Sequence, residues 1–72
     1  MSKPNMNPVD SSTIQAIGHD ANSNELHVQF NSGATYVYTG VDADTHDALL
    51  NAPSVGQHFA KNIKGNFEFK RL

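Results

Sequence analysis

The stretch ELHVQFNSGATYVYT, residues 25–39, decides the fold because it holds two alternating apolar patterns around one short turn. Before the turn, Leu26, Val28 and Phe30 alternate with polar side chains, which is typical of a half-buried β-strand. After the turn, ATYVYT alternates again and places both tyrosines of the chain on one side of a second strand. The sequence therefore predicts a β-hairpin that closes at NSG.

The length of the turn determines the face on which the two tyrosines lie. A three-residue loop, residues 31–33, pairs Val28 with Tyr36, and both tyrosines then face the core. A two-residue loop moves the register by one residue and places the tyrosines on the opposite face as an aromatic platform. We favour the three-residue loop, because its type I turn requires a left-handed residue only at its last position, which is Gly33.

The segments on either side of the hairpin complete an α+β domain. TIQAIGHD, residues 13–20, predicts a strand before the hairpin, and NFEFKRL, residues 66–72, predicts a closing strand. Between them, residues 41–52 predict a helix capped by Asp42. A second helix begins at Ser54, the first residue of the capping-box pattern SVGQ. We expect a small antiparallel sheet, in the order β-β-β-α-α-β, packed on two short helices.

The sequence predicts one folded domain, residues 12–72, preceded by a disordered tail, residues 1–11. The tail is rich in proline, asparagine and serine, so it buries too little apolar surface to offset the entropy of ordering it. Its candidate anchors for a protein partner are Met6, Pro8 and Val9.

Charge is distributed unevenly along the chain. The net charge is −2 at pH 7, but residues 1–53 hold six acidic residues and one lysine, whereas residues 54–72 hold four basic residues and one glutamate. A chain of net negative charge has little nonspecific affinity for nucleic acid, so any contact of this basic end is local. The candidate contact residues of the basic end are Lys61, Lys64, Lys70 and Arg71.

The sequence contains no pattern that predicts catalysis, a cofactor or a metal site. It lacks cysteine, and it lacks a metalloprotease motif, a glycine-rich phosphate loop and a nucleophile elbow. The acidic residues 42, 44 and 47 lack the glycine and terminal glutamate of a calcium loop and are typical of a helix N-terminus. No apolar run approaches the roughly 20 residues that span a bilayer. We therefore predict a monomeric, non-enzymatic binding module of the cytoplasm.

Residues 11–72 resemble the KTSC domain family. The resemblance rests on a first strand with Ser12, Ile14 and Ile17-Gly18, on the motifs LHVQF, NSG and YVY, and on Val41, Leu49-Leu50, Ala52, SVGQHF, Ile63-Lys64 and the closing aromatic strand. Members of this family are short modules that occur alone in bacteria and phages and at the C-terminus of some lysyl-tRNA synthetases. The resemblance implies a small binding module, and the attachment to a synthetase implies RNA binding.

Four positions depart from the family pattern. His19, Asp42, His46 and His58 stand where the family has tyrosine, proline or another aromatic residue. These replacements weaken the prediction of a stacking surface at those positions. The three histidines predict instead that stability or binding changes with pH near 6.

The residues themselves indicate only a small α+β binding module, and two functions are considered for it, the first of them because the chain resembles small phage-encoded regulators of transcription. The first is a small regulator of the phage type, which binds a subunit of bacterial RNA polymerase in the host cytoplasm and alters initiation or termination through contacts of the tail anchors and the basic end. The second is a single-stranded RNA-binding module in which Tyr36 and Tyr38 stack on bases while Lys61 and Lys64 hold phosphates.

Overall fold

The structure is a computed structural model, and it describes residues 6–9 and 11–72. In this part of the chain, five strands and two helices form. They are β1 Asn7–Pro8, β2 Ile14–Asp20, β3 Glu25–Phe30, β4 Thr35–Thr39, α1 Ala43–Leu50, α2 Val55–Asn62 and β5 Phe69–Arg71. The strands form one antiparallel sheet in the order β1-β2-β3-β4-β5. The predicted α+β class, a small antiparallel sheet with two short helices, is confirmed.

The central hairpin has the register of the three-residue loop. Val28 pairs with Tyr36, as that loop requires. The amide of Gly33 donates a hydrogen bond to the carbonyl of Phe30 at 2.9 Å, and Gly33 has a φ of +97°. The turn therefore uses glycine at the one position that demands a left-handed backbone. Both tyrosines lie on the core side of the sheet, as predicted.

Both helices pack against this face of the sheet, which we call the helical face. The apolar stripe of α2 is spaced by four residues and turns Val55, Phe59 and Ile63 toward the sheet. Each of the largest core side chains stabilises the fold by about 1.5–3 kcal/mol relative to leaving it exposed. The buried cluster consists of Ile14, Ile17, Leu26, Val28, Tyr38, Val41, Leu49, Phe59 and Ile63.

Both predicted helix caps form. Asp42 Oδ1 accepts a hydrogen bond from the amide of Thr45 at 2.9 Å, and Ser54 Oγ accepts one from the amide of Gln57 at 3.4 Å. Each bond satisfies an amide that has no partner within its own helix. The hydrogen bonds from Thr45 also hold the pKa of the Asp42 carboxyl below its usual value.

The face of the sheet opposite the helices is more buried than the alternating pattern indicates. Val37 and His27 lie on it and are only 1% and 8% exposed. In the strand register Val37 lies between His27 and Lys70, so two longer side chains flank it. His27 Nε2 is 3.7 Å from Glu25 Oε1, and within the described residues its Nδ1 has no hydrogen-bond partner.

Part of the predicted disordered tail belongs to the sheet. Asn7 and Pro8 form β1, the amide of Val9 donates to a β2 carbonyl at 3.1 Å, and the Val9 side chain packs against the core. Pairing with β2 supplies hydrogen bonds that the segment lacks on its own, and this corrects the prediction for residues 6–9. The rest of the predicted tail, apart from Ser11, lies outside the described residues.

Replacing Gly33 with alanine should lower the free energy of unfolding by about 1–2 kcal/mol, because a Cβ is strained at this positive φ. Nothing lies within 4 Å of the added Cβ, so the cost comes from the backbone conformation and not from a clash. Gly33→Asn should lose less, since asparagine adopts left-handed conformations more readily. Urea unfolding measures both variants, and equal losses would contradict this explanation.

Candidate functional site

Five of the six aromatic residues contact one another in a closed ring on the helical face of the sheet. Neighbouring ring centroids are 5.3–5.6 Å apart, with tilted or edge-to-face angles. These are the separations and orientations that aromatic pairs prefer. In order around the ring, the members of this aromatic pentad are Phe30, Tyr36, Phe69, Tyr38 and Phe59.

Strand pairing and the second helix bring the pentad together. The hairpin register places Phe30, Tyr36 and Tyr38 on the helical face. The pairing of β5 with β4 sets Phe69 directly opposite Tyr38, and α2 supplies Phe59. Residues far apart in sequence therefore meet only because the closing strand returns to β4.

The pentad is buried at its base and open at its rim. Tyr38 and Phe59 are each 3% exposed, Phe30 and Tyr36 are half-buried, and Phe69 is 55% exposed. Burial, together with the neighbouring phenol of Tyr36, raises the pKa of Tyr38 above its ordinary value. The rim thus presents aromatic surface that no part of the described chain covers.

A cleft of about 660 Å³ opens between the pentad and α2. The helix contributes the small residues Gly56 and Ala60 to its wall, and the segment before β2 contributes Ser12 and Thr13. A volume of this size lies within the roughly 300–1,000 Å³ of pockets that hold a ligand. The cleft is therefore the candidate functional site.

Two of the four predicted cations lie beside the cleft. Lys64 lines it, and Arg71 pairs with Tyr36 and so projects from the helical face. Lys70 projects from the opposite face, and Lys61 is exposed on α2 without lining the cleft. Among residues 6–9 and 11–72, no carboxylate approaches the side-chain nitrogens of these four cations within 4.0 Å.

The structure does not join the predicted tail anchors to the basic end. Pro8 lies in β1, with Met6 before it and Val9 after it, at one edge of the sheet, whereas Lys70 and Arg71 lie in β5 at the other edge. Of the predicted site residues, the structure brings Tyr36, Tyr38 and Lys64 together at the cleft.

Sequence reasoning missed the remaining three members of the pentad as site residues. The sequence pattern indicates ordinary core positions for Phe30 and Phe59. It indicates that Phe69 is one of two alternating aromatic residues in the closing strand. Only the position of Phe69 on a three-residue edge strand leaves it exposed, and no local pattern indicates that.

A stacked pair of histidines forms a second cluster. The rings of His19 and His46 are 4.9 Å apart at an angle of 13°. His19 Nε2 lies 2.6 Å from the carbonyl oxygen of Val41, and His46 Nε2 is buried without a partner among the described residues. Burial lowers the pKa of His46, and positive charge on His19 lowers it further, although Asp47, 4.0 Å away, raises it. The neutral form of His46 is therefore the form that the fold favours.

Within the described ranges, no three histidine, aspartate or glutamate side chains come together as a metal site would require. In the same part of the chain, neither helix has the length and apolar character needed to cross a bilayer.

The sheet, the two helices and the cleft define a small α+β module of one domain. The chain belongs to the KTSC domain family, since the model of the KTSC domain matches residues 10–67. The crystal structure of a KTSC domain protein from Yersinia pestis has the same fold. It is similar with a TM-score of 0.93 and 36% sequence identity, over 97% of this chain and 99% of that one.

Relatives of the chain include both long and short proteins. A lysine–tRNA ligase of Nostoc punctiforme is 40% identical over 63 residues, which are 88% of this chain but only 11% of the ligase. A protein of Tsukamurella paurometabola is 40% identical over 62 residues, which are 86% of this chain and 92% of that protein. The module therefore occurs both as a small part of an enzyme and as nearly all of a short protein.

The free energy of unfolding should fall as the pH drops below 6.5, the unfolded pKa of His46. Because the folded pKa is lower, the unfolded state binds the proton first, so stability present above pH 6.5 is lost as the pH falls toward the folded pKa. Urea unfolding between about pH 8 and about pH 5 measures this loss. This pH range lies above the ordinary pKa of carboxyl groups, so their protonation contributes little to the change.

Two variants serve as controls for the histidine pair. His46→Phe should flatten the profile, because it removes the titrating ring and keeps an aromatic ring stacked on His19. His58→Gln, in α2, should keep the dependence of the wild-type protein. A profile of His46→Phe as steep as that of the wild type would contradict the assignment.

Proposed function

We propose that this chain is a non-enzymatic protein-binding module and that its partner docks at the cleft of the aromatic pentad. The observation that carries the proposal is Phe69, a large aromatic side chain that is 55% exposed at the rim of an apolar cleft. Protein interfaces concentrate their binding energy in a few aromatic and arginine side chains around such desolvated pockets. Arg71 and Lys64 supply cations beside the same rim.

A subunit of bacterial RNA polymerase is the first partner to test. The choice rests on two features that the chain shares with small phage regulators of transcription, namely its size and its lack of catalytic motifs. Under this proposal the protein acts in the cytoplasm and alters initiation or termination by occupying a polymerase surface. Because the tail anchors lie at the other edge of the sheet, the contact residues of the proposal are Tyr36, Phe69, Lys64 and Arg71.

Single-stranded RNA is the second candidate ligand for the same cleft. The rings of Tyr36 and Phe69 lie beside Lys64 and Arg71, and stacking rings with nearby cations are the elements of single-strand binding. The similarity to a lysine–tRNA ligase supports this candidate as well. Tyr38 is only 3% exposed and has no free face for a base, so Phe69 takes its place in the RNA-binding set.

Replacing Phe69 with alanine should weaken binding of purified RNA polymerase about 10- to 30-fold, the loss typical of an interface residue worth about 1.4–2 kcal/mol. The matched control is Leu72→Ala. Leu72 is equally exposed at 57%, but its amide bonds to Thr35 and its side chain therefore lies on the opposite face. Biolayer interferometry measures both variants after thermal melts have shown that they fold like the wild type.

Three outcomes separate the candidates. Equal losses for Phe69→Ala and Leu72→Ala, or no loss for either, would contradict docking at the cleft. If purified polymerase does not bind, the wild type and the same two variants are compared for the proteins that they retain from bacterial lysate. This comparison tests whether another partner depends on Phe69. Binding that disappears on nuclease treatment, and that falls steeply with salt on a single-stranded oligoribonucleotide, would identify RNA as the ligand.

A further inference from the structure

The last strand, β5, has one unpaired side. Within residues 6–9 and 11–72 it pairs only with β4 and forms the edge of the sheet. The amide of Leu72 donates to the carbonyl of Thr35 at 2.9 Å, and the amide of Thr39 donates to the carbonyl of Glu68 at 2.9 Å. Because an antiparallel ladder alternates, the N–H and C=O groups of Phe69 and Arg71 point away from β4. Two donors and two acceptors therefore line the free side of β5.

Of the features that usually block a sheet edge, β5 has two, its length of three residues and its charged side chains, but it lacks a bulge and a proline. Its pairing with β4 is continuous, without a bulge, and it contains no proline. The opposite edge strand, β1, is two residues long and contains Pro8, whose nitrogen cannot donate to an added strand. All three residues of β5 are exposed, so nothing in the described chain covers this edge.

The charges of β5 select among the strands that could pair with it. Lys70 projects from one face and Arg71 from the other, and no carboxylate of the described residues lies within 4.0 Å of either. A second copy of β5 paired antiparallel about Lys70 would set the two lysine side chains against each other, which destabilises that strand pair. An acidic segment would instead gain an ion pair on each face.

We propose that the protein partner adds to the sheet as an acidic, extended strand along β5. This inference rests on the proposed function, since it takes the rim of the cleft as the partner's site. Main-chain hydrogen bonds to Phe69 and Arg71 supply affinity, as in other cases of strand addition, and side chains at alternating positions supply specificity.

The register of β5 defines the segment that fits. The residue opposite Phe69 lies on the helical face and contacts the exposed ring, so it is large and apolar. The next two residues lie opposite Lys70 and Arg71, on the two faces in turn, so both are acidic. The partner segment is therefore one large apolar residue adjacent to two acidic residues in an extended stretch.

The test uses isotope-labelled protein and blocked peptides of about eight residues in a Thr-Val background. The probe carries phenylalanine next to two aspartates and is made in both chain directions, since strands pair either way. One control replaces the aspartates with lysines. A second control keeps the side chains but N-methylates the backbone amides of alternate residues. It is made in two versions, one for each set of alternate amides, because only the set that faces β5 forms hydrogen bonds with it. One of the two versions therefore blocks strand pairing.

Peptide binding should slow hydrogen exchange at the amides of Phe69 and Arg71, which acquire hydrogen bonds. The amide of Lys70 already faces β4 and serves as an internal reference. The aspartate peptide should bind at least about tenfold more tightly than the lysine peptide and than the blocking N-methylated version. The double variant Lys70→Glu with Arg71→Glu, both at exposed positions, should reverse the preference between aspartate and lysine.

Each contrary outcome overturns a defined part of the inference. No binding of either aspartate peptide at about 1 mM, or binding without protection at Phe69 and Arg71, overturns strand addition. Dimers that form through β5 without peptide overturn the choice of occupant. If Phe69→Ala weakens polymerase binding but the peptides do not change hydrogen exchange at the amides of Phe69 and Arg71, docking at the cleft stands and strand addition fails. If the amides are protected but Phe69→Ala leaves polymerase binding intact, the proposed function fails instead.

Discussion

Gly33 turns the chain at a φ of +97°, and the register that this turn sets determines which residues meet in the rest of the protein. With a three-residue loop, the apolar positions of β3 and both tyrosines of β4 share the face that the helices cover. A slip of one residue would move the tyrosines away from β3's apolar set and would break the contact of Tyr36 with Phe30. The core and the aromatic pentad therefore depend on the same backbone conformation at one residue.

The cleft stays open because small residues stand where α2 passes the sheet. Gly56 and Ala60 line it, and a Cβ on Gly56 would meet the Ser11 hydroxyl at 2.9 Å, so the helix approaches the segment before β2 closely. The same helix carries Phe59 and Ile63 into the core. Its N-terminal part therefore packs against the Ser11 side chain while its apolar stripe packs against the sheet, and the pentad is left covered at its base only.

The sequence predicts this fold well wherever one local rule is sufficient. Alternation indicates the strands, the demand for a left-handed residue indicates the hairpin register, and capping residues indicate both helix starts. Local rules fail where pairing is long-range. β1 is two residues long and contains proline, so it has no strand pattern, although pairing with β2 orders it. The contact of Tyr38 with Phe59 and the stacking of His19 on His46 require the packed structure, because no spacing along the chain indicates them.

The placement of charge favours a protein over RNA as the occupant of the cleft. Among the described residues only Lys64 and Arg71 accompany the pentad, and so few cations make few phosphate contacts, each of which contributes about 0.7 to the salt slope of log K for a single strand. The net charge of −2 also repels a polyanion at long range. A polypeptide needs only two carboxylates to match Lys70 and Arg71. In a pairing of two copies centred on Lys70 the two lysines would repel each other, and under the proposed strand addition Lys70 and Arg71 would select an acidic strand.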